Sequence, residues 1–274
     1  MKHLLRNFAF TSGAILTIAL LLVALTAPLI APYDPDVQDT SRRLEPPSKE
    51  HLLGLDDLGR DVLSRIIWGA RVSLRVGFSV VILASLIGVA LGAISGYFGG
   101  LLDTLIMRLT DILLAFPGIL LAIAMVAVLG PSLNNVVIAL ATIGWVGYAR
   151  LVRGQVLKVR ELEYVTAAKA LGAGSPRVIL RHVLPNVMNP VIVMATLGLA
   201  GAILSEAALS FLGLGVQPPT PSWGAMLTAG RRYLGLANHL AIFPGAAIMA
   251  AVMGLNFLGD GLIDALDPKY RKQM

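Results

Sequence analysis

The chain has 274 residues, 56% of them hydrophobic and 14% charged, with a formal net charge of +6. A soluble domain carries about 25% charged residues, so this composition excludes a surface that faces water throughout, and lipid is the simplest solvent that fits. The absence of cysteine excludes a disulfide framework and a thiolate metal site.

The first apolar run, Gly13 to Ala31, holds no charge. As a helix it rises about 28 Å, enough to cross the hydrocarbon core. Lys2 and Arg6 precede it. A cleaved signal peptide would have an apolar core of about 7–15 residues and a small-x-small site. This run is longer and Leu25-Thr26-Ala27 is a poor site, so an uncleaved anchor is expected. Pro28, Pro32 and Pro35 are expected to stop the helix. Residues 33–70 are polar, and the amphipathic stretch Ser64 to Leu74 is expected along the membrane surface.

A second span is expected from Ser73 to Phe98. It carries Ala84, Gly88, Gly92 and Gly96 at intervals of four, which in a helix stack on one face and let another helix approach closely. Gly99-Gly100 makes a turn. A third span runs from Asp103 to Leu129 with Pro117 near its middle. Arg108 and Asp111 stand three apart and can pair on one face. Charges within a span point to function, whereas a pair this near the helix start is equally a structural feature of the interface. Gly130-Pro131-Ser132 breaks the chain. The fourth span is expected over Asn134–Leu151. The fifth is expected over Pro190–Leu212, with Asn189 as its cap, and the sixth over Leu240–Leu262. This divides the chain into an anchor and outer segment (1–72), a transmembrane domain (73–264) and a tail (265–274). No period of 20–50 residues repeats, and no inverted repeat of broken helices is visible.

Six spans put both termini on one side. Residues 150–185 carry Arg150, Arg153, Lys158, Arg160, Lys169, Arg177 and Arg181 against Glu161 and Glu163, and the tail adds Lys269, Arg271 and Lys272. Counting Lys and Arg places these segments and both termini in the cytoplasm. The 33–70 segment then lies outside despite Arg42, Arg43, Lys49, Arg60 and Arg65, which are offset by eight acids between Asp34 and Asp61. The net positive charge thus reads as anchoring charge at a membrane. Lipid is the expected partner and nucleic acid is not.

The stretch EYVTAAKALGAGSPRVILRHVLP, residues 163–185, reads as two short helices with a bend. Gly172 or Gly174 can take the left-handed conformation that ends the first. Ser175-Pro176 reads as an N-cap with Pro at the first helical position of the second, which is expected to end by Pro185. Ala167, Ala168 and Leu171 share a face where a partner's groove can come close; a linker packing on its own chain is the alternative. The same stretch resembles the E-A-A-x3-G-x9-I-x-L-P signature of membrane subunits of ATP-binding-cassette importers. Ala167, Ala168, Gly172, Leu184 and Pro185 match in register, while Thr166 and His182 stand where that pattern has Glu and Ile. LGLDDLGRDVLSRIIWGARVSL (53–74), EAALSFLGLG (206–215), PSWGAML (221–227) and LNFLGDGLIDALDP (255–268) are similar to the dipeptide/oligopeptide/nickel permease family, in its second-subunit type.

The resemblance implies an all-α membrane protein of the type I importer transmembrane fold, with about six transmembrane helices and a cytoplasmic coupling-helix loop. It implies a multi-pass protein of the cell (inner) membrane that forms half of the pathway for peptides or related small solutes. The implied partners are a different permease subunit, two cytoplasmic ATP-binding subunits and an extracytoplasmic solute-binding protein. Glu163, Ala167, Ala168, Lys169, Leu171, Gly172, Ala173, Ser175, Leu184 and Pro185 are the expected ATPase-docking residues.

The chain has no G-x-x-x-x-G-K-[ST], so ATP and Mg are expected on partner subunits and no cofactor on this chain. There is no H-E-x-x-H, and His3, His51, His182 and His239 are scattered, so no metal site or catalytic residue is expected. Glu206 is the sharpest single residue, placed in the outer half of the fifth span. It would line the pathway, pair with a partner-subunit cation, or be a structural carboxylate satisfied near the interface. Asn256, Asp260 and Asp264 share one face at the inner end of the sixth span. Trp223 and Met226 fall in a short outer helix capped by Ser222, as a binding-protein contact or an interfacial anchor. A secondary transporter is the first alternative and would need coupling-ion groups near the midplane, where the first, second and fourth spans hold no charge in their cores; a channel is the second, and no repeated filter-like motif appears.

Overall fold

The computed structural model describes residues 8–266, and Lys2, His3, Arg6, Lys269, Arg271 and Lys272 lie outside the described residues. The described chain is helical: α1 (Phe8–Ile30), α2 (Val62–Phe98), α3 (Gly100–Leu114), α4 (Gly118–Leu129), α5 (Leu133–Val159), α6 (Glu163–Ala170), α7 (Ser175–Val178), α8 (Leu184–Phe211), α9 (Trp223–Arg231) and α10 (His239–Leu266). Five helical lengths are long and apolar enough to cross a membrane, and the bent pair α3–α4 makes a sixth if it counts as one span. The protein is thus a multi-pass membrane protein with two ends: an elbow end bearing α6, and a cap end bearing α9 and residues 31–61.

Several expected boundaries move. Ser64–Leu74 is not a separate surface helix; it is the first part of the 37-residue α2, so the division at 72/73 falls inside a helix. Arg65 lets the helix continue there, because partners at the cap end satisfy its charge. The third span is broken: α3 and α4 meet at 86° around Pro117, which caps α4. A proline cannot donate to the helical ladder, so the break falls there. Pro28, by contrast, sits within α1. Residues 175–211 form one helical length, with Pro190 inside it rather than at its start. A π turn over Ile179–Val183 makes this continuity workable just before Pro185. The Leu184 N–H reaches back to Ile179 O instead of making the normal bond, which widens the turn.

Small residues set the helix spacing. Gly88, Gly92 and Gly96 lie against α5, where an added Cβ would stand 2.5 Å from Trp145 O, 2.5 Å from Ala149 O and 3.0 Å from Arg153 O respectively. Ala84 meets Gly144 in the same seam. On the other side α1 lies along α10, with Gly254 facing Leu16 and Gly261 facing Phe10. Lipid gives little hydrophobic reason for helices to associate, so such close packing supplies the attraction.

The cap end is tied down by polar contacts. Asp61 is the N-cap of α2: its carboxylate accepts from Ser64 N and Ser64 Oγ, both at 2.8 Å, and lies 2.9 Å from His51 Nδ1. Arg65 Nη1 donates to Pro35 O (2.7 Å), its Nη2 to Pro219 O (3.3 Å), and its Nε stands 3.5 Å from Asp56. Trp223 Nε1 donates to Ile66 O at 3.0 Å, and His239 Nε2 lies 3.3 Å from Leu55 O. Nearer the surface Arg42 forks between Glu45 and Glu50, and its hydrogen bonds, together with its charge, hold the Glu50 carboxyl below the usual range. Asp61→Ala removes the cap and leaves His51 buried without its carboxylate. A cap is worth about 1–2 kcal/mol, so the apparent Tm in detergent should fall by roughly 3–8 °C. An unchanged Tm would mean that water replaces the carboxylate.

Candidate functional site

The elbow end carries the residues singled out from sequence. α6 ends in a Schellman motif: Ala173 N donates to Ala168 O (3.0 Å), Gly172 N to Lys169 O (2.9 Å), and Gly172 adopts φ +84°. Of the two candidate glycines, Gly172 therefore takes the left-handed position. The cap of α7 differs from expectation by one residue: Gly174 is the N-cap, without a side-chain bond, and Ser175 is the first helical residue. With Pro176 filling the early donor position, a side-chain cap has less to satisfy.

One side of the elbow is anchored by valines. Val165, Val178, Val183 and Val187 are fully buried in a single cluster with Val152, Val156 and Val159 of α5. Ala173 and Leu184 pack against this cluster, and Pro185 is exposed at the start of α8. The other side faces out: Glu163, Ala167 and Lys169 are exposed, Ala168 is half-buried, and Leu171 is 89% exposed. Leu162, Tyr164 and Leu180 add exposed apolar surface, and Arg177 and Arg181 are exposed beside them. An exposed apolar patch with a basic rim marks a surface for contact with a protein or with the membrane.

Sequence reasoning missed the polar clasp beside the elbow. Arg153 grips Asp103 with two bonds, Nε to Oδ1 at 2.5 Å and Nη2 to Oδ2 at 2.7 Å, and Ser95 Oγ also donates to Asp103. Arg160 Nη1 donates to Gly96 O at 2.8 Å, and Lys169 Nζ sits 5.1 Å from the Tyr97 ring centroid. The expected Arg108–Asp111 pair is replaced: Asp111 binds Arg150 Nη2 at 2.6 Å. An arginine from the facing helix reaches a carboxylate head-on, whereas side chains three apart on one helix must both bend along its surface. The signal available in sequence was the run Arg150, Arg153 and Arg160 on one helix, which called for acids elsewhere.

Glu206 is 1% exposed, at the cap end of α8. Its carboxylate accepts from Ser210 Oγ (2.7 Å) and Ser73 Oγ (3.4 Å). It joins α8 to α2 and lines neither of two cavities. One of these, about 320 Å³, lies at mid-depth between α2, α4, α5 and α8, lined by small residues that include Ala84, Gly144, Gly198 and Gly201. The other, about 80 Å³, lies at the cap end beside Arg60 and Met226. Trp223 and Met226 are buried in the cap end rather than presented outward. Asp260 is exposed and Asn256 half-buried near the elbow end of α10, where Asp264 also lies.

This arrangement is the type I transmembrane fold of ABC importers. The MetNI methionine ABC transporter, solved in inward-facing conformations, has a similar chain, with a TM-score of 0.59 at 18% identity, covering 74% of this chain and 96% of that one. The profile described as binding-protein-dependent transport system inner membrane component matches residues 88–272, and that for the N-terminal TM domain of oligopeptide transport permease C matches residues 1–47. The dipeptide transport system permease protein DppC of Alkalihalophilus pseudofirmus is 49% identical over 270 residues, covering 98% of this chain and 89% of the relative. The glutathione transport system permease protein GsiD of Pectobacterium atrosepticum is 44% identical over 271 residues, covering 98% and 90%. The chain belongs to the family of inner membrane components of binding-protein-dependent transport systems, as an ABC importer permease subunit.

Proposed function

We propose that this chain is one of two different permease subunits of an importer for small peptides, and that its elbow docks a cytoplasmic ATPase. The substrate class is supported by the relatives named for dipeptides and glutathione. In this reading the elbow end and both termini are cytoplasmic, in accord with the basic residues of the 150–185 segment. The cap end faces the solute-binding protein. ATP and Mg sit on two partner ATPases.

The observation that carries the docking reading is the elbow's two-sidedness: four buried valines behind, and in front a face with Ala167 and Leu171 exposed and Ala168 half-buried. A helix fixed in this way moves as a unit with its dock. ATP can shift the permease between two states only as far as the docked ATPases favour one of them.

The test is co-purification with co-expressed candidate ATPases. Ala167→Arg and Leu171→Asp change exposed side chains and spare the valine anchor. The unaltered chain should retain an ATPase, and each variant should lose it at least tenfold at equal membrane abundance. Variants that bind as well as the unaltered chain would remove the elbow as the dock.

A further inference from the structure

We infer that α2 is the rod that carries the ATPase stroke from the elbow to the cap end, and that Asp103, Arg153 and Arg160 are the positioning residues that lock this rod to the elbow. The inference rests on the docking reading above, but concerns where the motion goes after docking.

α5 is the helix directly covalent with the elbow, so motion along α5 alone is the simpler expectation. The clasp changes that expectation. Arg160, the C-cap of α5, donates to Gly96 O in the last turn of α2. Arg153, a turn or two earlier, holds Asp103 in the first turn of α3, and Ser95 of α2 donates to the same carboxylate. Lys169 of α6 stands over Tyr97 at the end of α2. A bidentate arginine–carboxylate pair fixes orientation as well as distance. The end of α2, the start of α3, the end of α5 and the elbow are therefore joined by side chains from every element in the corner.

The seam above the clasp is closed to sliding. Gly92 and Gly96 lie directly on Ala149, Val152, Arg153 and Val156, with backbone among the nearest atoms. A displacement of α5 along this seam must take α2 with it. α2 then runs unbroken over 37 residues with no proline, a length of about 55 Å. Its far end is held at the cap end by Asp61, Arg65 and the Trp223 bond to Ile66 O. One helix thus spans from the clasp to the surface assigned to the solute-binding protein.

The test uses the whole reconstituted complex with its solute-binding protein. Asp103→Arg and Arg153→Asp should each keep the ATPases bound, yet cut transport at least tenfold and abolish the stimulation of ATP hydrolysis by loaded binding protein. The double variant, with the charges exchanged, should recover most of both. Retained ATPases separate this result from a failure of docking, in which they would be lost. A second variant does not depend on the charge reversals folding. Asp103→Asn keeps the side chain's size and one acceptor oxygen, but an amide cannot accept both arms of the Arg153 fork. It should keep normal membrane abundance and bound ATPases, yet lower the stimulation of ATP hydrolysis by loaded binding protein at least threefold. The inference is overturned by single charge variants that transport normally, by variants that release the ATPases, or by an Asp103→Asn variant whose stimulation is unchanged.

Discussion

Gly88→Leu should reduce the chain in the membrane to less than a tenth of its normal abundance, while Gly201→Leu should leave it unchanged. Both glycines lie in membrane helices, so composition and hydropathy do not separate them. Their surroundings do. A Cβ on Gly88 would press on Tyr148 Cβ and stand 2.5 Å from Trp145 O and 3.0 Å from Ala149 N, whereas one on Gly201 meets nothing within 4 Å. Overpacking usually costs about 1–3 kcal/mol because neighbours rotate away. Here two of the three atoms are backbone of α5 and cannot rotate, so the helices must part. Parting them opens the seam that also carries Gly92 and Gly96. Quantitative immunoblotting of washed membranes decides the matter. Equal abundance of both variants would show that α2 and α5 do not depend on this contact.

Glu206→Ala and Glu206→Gln should differ sharply. Alanine removes the acceptor shared by Ser73 and Ser210 and leaves a hole between α2 and α8. Unsatisfied buried hydroxyls and the lost volume together cost about 2–4 kcal/mol, which corresponds to a fall in apparent Tm of roughly 5–15 °C. Glutamine keeps the volume and one acceptor oxygen, so its loss should stay within about 1 kcal/mol. Measuring transport beside Tm separates structure from chemistry. Transport that follows Tm in both variants means that Glu206 is a joint between helices. A glutamine variant that is stable but inactive would mean that the charge itself acts in transport, as one of the readings from sequence has it.

The spans could be read from sequence because each needs a long uncharged run, and α1, α5 and α10 supply one. The continuation of α2 through Ser64–Leu74 could not. Arg65 and Arg71 make that stretch amphipathic, and a local window does not show that Arg65 will find Pro35 O, Pro219 O and Asp56. Prolines were the second difficulty. Pro117 breaks its span at 86°, Pro190 does not break α8, and Pro185 is accommodated by a π turn. Whether a proline ends a helix depends on what satisfies the freed carbonyl, which is a tertiary fact. At the elbow, a left-handed cap could be narrowed to Gly172 or Gly174, and the choice of Gly172 rests on the folded turn in which Ala173 N reaches Ala168 O. The clasp was not, because Asp103 and Arg153 are fifty residues apart and neither has a local pattern that names the other.

The cap end has a bearing on how the chain is made. Its bonds join Arg65 to Pro219, Ile66 to Trp223 and Leu55 to His239, at separations of 154, 157 and 184 residues. At about 5–20 residues per second of synthesis, the early partners wait roughly 8–37 s for the late ones. The apolar helices can enter the bilayer as they emerge, but Arg65 has no acceptor from Pro219 until α8 has been followed by its loop. The last quarter of the chain therefore completes the first. A nascent chain stalled before α8 would leave Arg65, Ile66 and Leu55 without the partners that Pro219, Trp223 and His239 supply.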